Sequence, residues 1–240
     1  MVAAAARRRP APGSAEELQQ RAWALEGVSL GALAQALAAP VPAPGAHAKG
    51  WAGQLVELAL GADPTAHAGP DFPDLGIELK TVPVGADGTP QAATFCCSLE
   101  MATADQQRWE SSRLRRRLGC VLWLPVGGRG ALPLPERRLG RARLWRPTAA
   151  EERRLAADWE LLIGQVGAGF AGDLSALAGE VLQVRPKAAH GQVRTWAPGP
   201  DGGLARTLPL GFYLRPRFTA AILAAPPGPV APDHAGAAAV

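Results

Sequence analysis

The stretch Asp71–Lys80, DFPDLGIELK, carries two patterns at once. Ile77 and Leu79 alternate with Glu78 and Lys80, so a strand here puts the apolar pair on one face and the acid and base on the other. Ahead of them, Phe72-Pro73-Asp74-Leu75-Gly76 has the residues of a chain reversal. A reversal at that place sets Asp71 across from Glu78. The stretch therefore predicts two carboxylates and one ammonium gathered at one end of a small sheet. The lysine is itself informative. Of the 25 Lys and Arg residues only three are lysine, Lys49, Lys80 and Lys187.

Two converging carboxylates suit a hard divalent cation such as Mg²⁺, which takes oxygen ligands at ~2.0–2.1 Å and keeps several waters. Water made more acidic by the ion can attack phosphorus. A lysine can hold that water, help remove its proton and offset charge in the transition state. Arginine cannot yield a proton, so it is a poor substitute. By pattern alone, the same spacing also describes a surface strand that alternates acid and base for solubility.

Outward from this stretch the chain mixes helices and strands without a βαβ period. Ser14 with Glu17 is a capping box that opens a helix over residues 15–26, and Ser29 starts a second short helix. WAGQLVELAL, residues 51–60, reads as a third, stopped by Gly61. GIELKTVPV and TFCCSLE read as strands separated by the turn-rich GADGTP. CVLWLPV is apolar throughout and is expected at the centre of a sheet. ARLW, EVLQVRP and RTLPLGFYL read as further strands. Thr148 with Glu151 caps a long amphipathic helix, and PRFTAAILAA closes the body with Pro216 in a helix first turn. The fold class is α/β or α+β, around a mixed central sheet flanked by helices.

Composition sets the limits. The chain has 240 residues and 48% hydrophobic content, enough for a sizeable core. Residues 1–13 and 226–240 are rich in Ala, Pro, Gly or Arg without periodicity and are expected to be disordered tails. Residues 14–225 are then one domain. The N-terminal arginines are followed by no apolar segment of signal-peptide type, and no apolar run is long enough for a membrane span. A cytoplasmic protein is expected. Cys96, Cys97 and Cys120 have neither zinc spacing nor a disulfide framework, and the four histidines form no spaced cluster. Net charge is +4, but between Arg108 and Arg146 eleven arginines face two acids, an excess of +9. Such a run is either a solvated face or the footprint of an anionic polymer; its single sign and interleaved tryptophans favour nucleic acid.

Five segments carry a resemblance. They are KGWAGQLVELALGA (49–62), DFPDLGIELKTVPV (71–84), RRRLGCVLWLPV (115–126), EVLQVRPKAA (180–189) and TLPLGFYLRPRFTAAIL (207–223). In order and spacing they resemble the MutH family of DNA mismatch-repair endonucleases, from about Leu18 to Leu223. The resemblance implies a type II restriction-endonuclease-like fold with N- and C-terminal subdomains. It also implies Mg²⁺-dependent nicking of the unmethylated strand at hemimethylated GATC sites, activation by MutL, and a monomer. It places the catalytic triad on Asp71, Glu78 and Lys80, with Asp71 and Glu78 as metal ligands. It adds Glu57 in the third helix and Lys49 before Gly-Trp. Glu57 is also a lone acid in an otherwise apolar helix, which calls for a partner, a metal or exposure to solvent.

The resemblance further implies that Arg185 and Lys187 read DNA, that Tyr213 senses adenine methylation and that Phe95 lies near the bases. Arginine is suited to guanine. Tyr213 also fits an ordinary strand aromatic, and Phe95 a core residue. Where the family is expected to carry a lysine in the basic segment this chain has Arg117, which suits phosphate binding and not proton transfer. A GATC restriction enzyme cutting both strands would share the triad. A DNA-binding module with a decayed site would not.

Overall fold

The computed structural model describes residues 9–43, 48, 50–65, 69–128, 131–175, 177–188 and 190–225. Three helices come first: α1 (Ala15–Trp23), α2 (Leu30–Ala36) and α3 (Trp51–Leu60). The Ser14 hydroxyl accepts the Glu17 N–H at 3.1 Å, while the Glu17 carboxylate reaches back to the Gly13 N–H at 2.7 Å. The box is thus closed one residue earlier than its spacing suggests. Gly61, with φ +84°, ends α3 in the left-handed conformation that glycine alone adopts without strain.

The tail expected to end at Gly13 is packed over its last residues. Pro12 is buried, and Arg21 Nη1 donates to Pro10 O at 2.6 Å and to Leu60 O at 3.2 Å. Residues 1–8 and 226–240 lie outside the described residues.

Strand β1 (Glu78–Pro83) runs parallel to β3 (Val121–Val126), which pairs antiparallel with β4 (Arg143–Trp145). The apolar run is indeed the central strand, and β1 is an edge. Strand β2 (Thr94–Ser98) does not pair with β1. It joins β8 (Leu210–Leu214), which also pairs with β5 (Leu182–Pro186), in a second, antiparallel sheet. The expected single strand RTLPLGFYL breaks before Pro209, which has no N–H to give a ladder. Its first half, β7 (Leu204–Thr207), forms a hairpin with β6 (Thr195–Pro198), a strand that the sequence pattern does not announce.

The alternation of β1 and β3 divides two cores. Ile77 and Leu79 face Leu122 and Leu124 and the apolar sides of α1, α2 and α3. Val82, Val121 and Trp123 face the second sheet and α5 (Ala149–Gly167), whose Thr148–Glu151 capping box is complete. Glu78 and Lys80 belong to this second face. Helix α4 (Arg113–Leu118) covers its edge, and α6 (Pro216–Ala224) closes the body.

Candidate active site

The reversal before β1 is a short 3₁₀ turn, Pro73–Leu75, closed by Gly76 at φ +63°. Phe72 and Ile77 exchange backbone bonds of 2.9 and 3.2 Å across it, so Asp71 stands opposite Glu78. The Glu78 N–H bonds to Cys120 O at 3.0 Å, toward β3, so the N–H of Leu79 points to the free edge. Asp71 Oδ2 accepts that N–H at 2.8 Å. An edge strand with one unsatisfied donor thus fixes the first carboxylate.

Glu78 is 2% exposed, and both its oxygens are engaged. Oε1 pairs with Lys80 Nζ and Oε2 with Arg117 Nη1 from α4, each at 2.5 Å. Burial raises the pKa of Asp71 above the ordinary carboxylate value, and the charge of Glu78 adds to the rise. The Leu79 N–H, Lys80 and Arg117 pull it back in part. Glu57 projects from the second turn of α3, and its carboxylate and the Thr81 hydroxyl both approach Gly53. A Cβ on Gly53 would sit 3.6 Å from Thr81 Oγ1 and 3.8 Å from Glu57 Oε1, so the small residue leaves room for both. Lys49 lies outside the described residues. The structure therefore gathers Asp71, Glu78, Lys80 and Arg117 at one edge, while Glu57 lies on the α3 side of β1, near Thr81.

The second group of residues lies on β2, β8 and β5. Phe95 and Tyr213 are cross-strand partners, with ring centroids 5.3 Å apart and planes at 61°. Lys187 Nζ stands 4.3 Å over the Phe95 ring. Arg185 is exposed, and its charge lowers the Tyr213 pKa against a larger rise from burial. Gly211 makes this arrangement possible. A Cβ there would come within 2.9 Å of the Phe95 ring and 3.2 Å of Cys97 O. Cys96 and Cys97 join the two groups, since both thiols lie in the field of Lys80 and Glu78. Burial pushes them up to about 12 and about 11, so both remain neutral.

Comparison with known proteins settles the family. The family described as "DNA mismatch repair enzyme MutH" matches residues 60–158. The DNA mismatch repair protein MutH of Haemophilus influenzae (strain PittGG) is 44% identical over 212 residues, covering 88% of this chain and 95% of its own. That of Pasteurella multocida (strain Pm70) is 45% identical over 212 residues, 88% and 96%. That of Vibrio cholerae (strain O395) is 44% identical over 215 residues, 90% and 97%. The chain belongs to the MutH family.

The MutH-family fold is restriction-endonuclease-like, and the mixed sheet with helices and a second small sheet is its form here. Among the described residues no group of three or more His, Cys, Asp or Glu stands ready to hold a metal. The only described histidine, His190, is exposed. The arginine run is divided among several tasks. Arg138 Nη1 bonds Gly27 O at 2.7 Å, and Arg141 lies 4.1 Å over the Trp23 ring and pairs with Glu26. Arg115, Arg116 and Arg146 line a separate cleft of about 410 Å³. Trp109, Trp123 and Trp145 are buried and offer no stacking surface.

One structural carboxylate escaped the sequence reading. Asp158, buried on the apolar side of α5, accepts the N–H groups of Glu180, Val181 and Leu182 at 2.8, 2.6 and 2.8 Å and so seats β5. An acid in the apolar stripe Leu155, Asp158, Trp159, Leu162 was the available signal.

Proposed function

We propose that this DNA mismatch-repair endonuclease nicks the unmethylated strand at hemimethylated GATC sites, with Mg²⁺ and on activation by MutL. The observation that carries the reading is the placement of Asp71 and Glu78 together at the free edge of β1, with Lys80 on Glu78. The residues fit a hard cation. Two oxygen-donor carboxylates face each other, and the Asp71 pKa is raised first by burial and then by the charge of Glu78, both of which a divalent ion would offset. Asp71 and Glu78 would hold it. The chemistry such an ion supplies when bound is Lewis-acid charge and a more acidic water.

The chain's own groups do the rest. Of the two cations on Glu78, only Lys80 can give or take a proton, while Arg117 holds a fixed charge toward the phosphodiester. Glu57 orients the edge from α3, and Lys49 contacts phosphate. Arg185 and Lys187 bind the recognition site. Tyr213, half-buried against Phe95, rejects N6-methyladenine by sterics and by the loss of a partner for its hydroxyl. Residues 14–225 act as one domain with two subdomains, built on the two cores, and the protein works as a cytoplasmic monomer. No helix among the described residues is long and apolar enough to cross a membrane.

The test is purified protein on plasmids with unmethylated, hemimethylated and fully methylated GATC, with and without MutL and ATP. Nicks confined to unmethylated strands support the reading. Paired cuts on both strands at once indicate a restriction enzyme. Tyr213→Ser is expected to bring the rates on unmethylated and fully methylated sites together. An unchanged ratio in a folded variant leaves Tyr213 a packing residue.

A further inference from the structure

Arg113 opens α4 and stands one helical turn before Arg117, on the same side of the helix. It is half-buried, and its Nε is closed to solvent without a hydrogen-bond partner. Among the described residues no carboxylate pairs with it. Glu78 is spoken for, because Lys80 and Arg117 occupy both of its oxygens. Arg113 nevertheless lies close to the same place. Of the charges acting on the Cys97 thiol it is the largest, ahead of Lys80, Arg117 and Glu78. Three cations therefore surround this end of β2, against one fully engaged carboxylate. A buried guanidinium N–H without an acceptor is unfavourable unless a partner arrives. An excess of positive charge beside the triad defines that partner as an anion.

We infer that Arg113 is a phosphate-binding residue of the active site, taking a single phosphodiester of the bound strand next to the bond that Lys80 and Arg117 face. The inference rests on the DNA-nicking reading and goes past it, since it selects one arginine from a run that the sequence presents as uniform. Arginine fits the role by its planar fork, which can give two N–H groups to two phosphate oxygens together once the side chain turns out to the strand and brings the closed Nε with it. The other cations of α4 are placed differently. Arg115 pairs with Glu152, and Arg116 bonds Ser111 O.

The experiment uses the full chain and a GATC duplex carrying one methylphosphonate, neutral and nearly isosteric, moved in turn through each phosphate around the cleaved bond. Binding is read by titration in chelator, and nicking separately. In the unaltered protein one methylphosphonate position is expected to weaken binding by about tenfold, the loss of one charge-assisted contact. Arg113→Gln is expected to lose the same factor on unmodified DNA, with a salt slope shallower by about 0.9. On the duplex modified at that position it should lose nothing more. Arg113→Lys should keep the slope and recover part of the affinity, which a packing role would not explain. Thermal melting of each variant accompanies the titrations.

If Arg113→Gln matches the unaltered protein in affinity and slope, or if its loss adds to every methylphosphonate alike, the assignment is overturned. Should the glutamine variant fail to fold, the lysine variant on the same set decides: its loss must vanish at one position and nowhere else. Failure of the GATC or methylation preference with this single-position pattern intact would remove the specificity reading and leave Arg113 in place.

Discussion

Asp71 occupies its folded position at an electrostatic cost. Its carboxyl is partly buried and faces Glu78, and one backbone N–H at 2.8 Å does not offset both effects. The folded pKa is raised, so the group's contribution is most favourable below the unfolded value near 3.8 and is lost as pH rises through the folded one. Asp71→Asn removes the charge and keeps an oxygen for the Leu79 N–H. In chelator at neutral pH it should melt above the unaltered protein, by about 2–4 °C, the shift of roughly 1 kcal/mol in a domain of this size. Below about pH 4 the two should melt together. Added Mg²⁺ should raise the unaltered protein and leave the variant unmoved. A variant less stable than its parent at pH 7 would mean that Asp71 is held by contacts stronger than the repulsion. The sequence showed this pair because strand alternation and a Pro-Gly reversal are local. It did not show Arg117 on Glu78, a contact across 39 positions of chain.

At the scale of elements, local signals set helices and central strands, while long-range pairing set the sheets. The capping residues Ser14 and Thr148, the stop at Gly61 and Pro216 in a first turn are all readable from a few neighbours. The partner of β2 is not, since β8 lies more than a hundred residues away. The hairpin of β6 and β7 has little apolar alternation because only Ala197 enters the core, while Trp196 and Leu204 stay exposed. Asp158 shows how such distant elements are locked together. The carboxylate takes three backbone N–H groups at the start of β5. Asp158→Ala should cost about 2–4 kcal/mol, through buried donors left without partners. Thermal unfolding would then fall by roughly 5–10 °C. Arg185 on β5 and Lys187 just after it are the residues proposed to bind the recognition site, and on that proposal DNA binding by the variant should weaken even at temperatures where it remains folded. A loss of less than about 0.5 kcal/mol, the range of ordinary surface changes, would show that β5 is seated by its core residues alone.

Across the whole molecule, the +9 excess between Arg108 and Arg146 is spread over several surfaces, and charge count alone overstates the footprint. Arg117 turns to Glu78, Arg116 and Arg146 to a cleft on α4, and Arg138 and Arg141 to the N-terminal helices. Each arginine that truly neutralises a phosphate should contribute about −0.9 to the slope of log K against log salt. Arg141 is then the informative control. Its guanidinium stacks on Trp23, a contact worth about 0.5–1 kcal/mol at an exposed site, and its pair with Glu26 adds little more. Arg141→Ala should therefore lower the melting temperature by about 1–4 °C and leave the salt slope as it was. Arg116→Ala should do the reverse, with melting unchanged and the slope shallower by about 0.9. The same slope in both variants would mean that the cleft is a solvated face. A shallower slope in Arg141→Ala would bring the α1 side of the molecule into the DNA footprint, and the bound duplex would then have to span both cores.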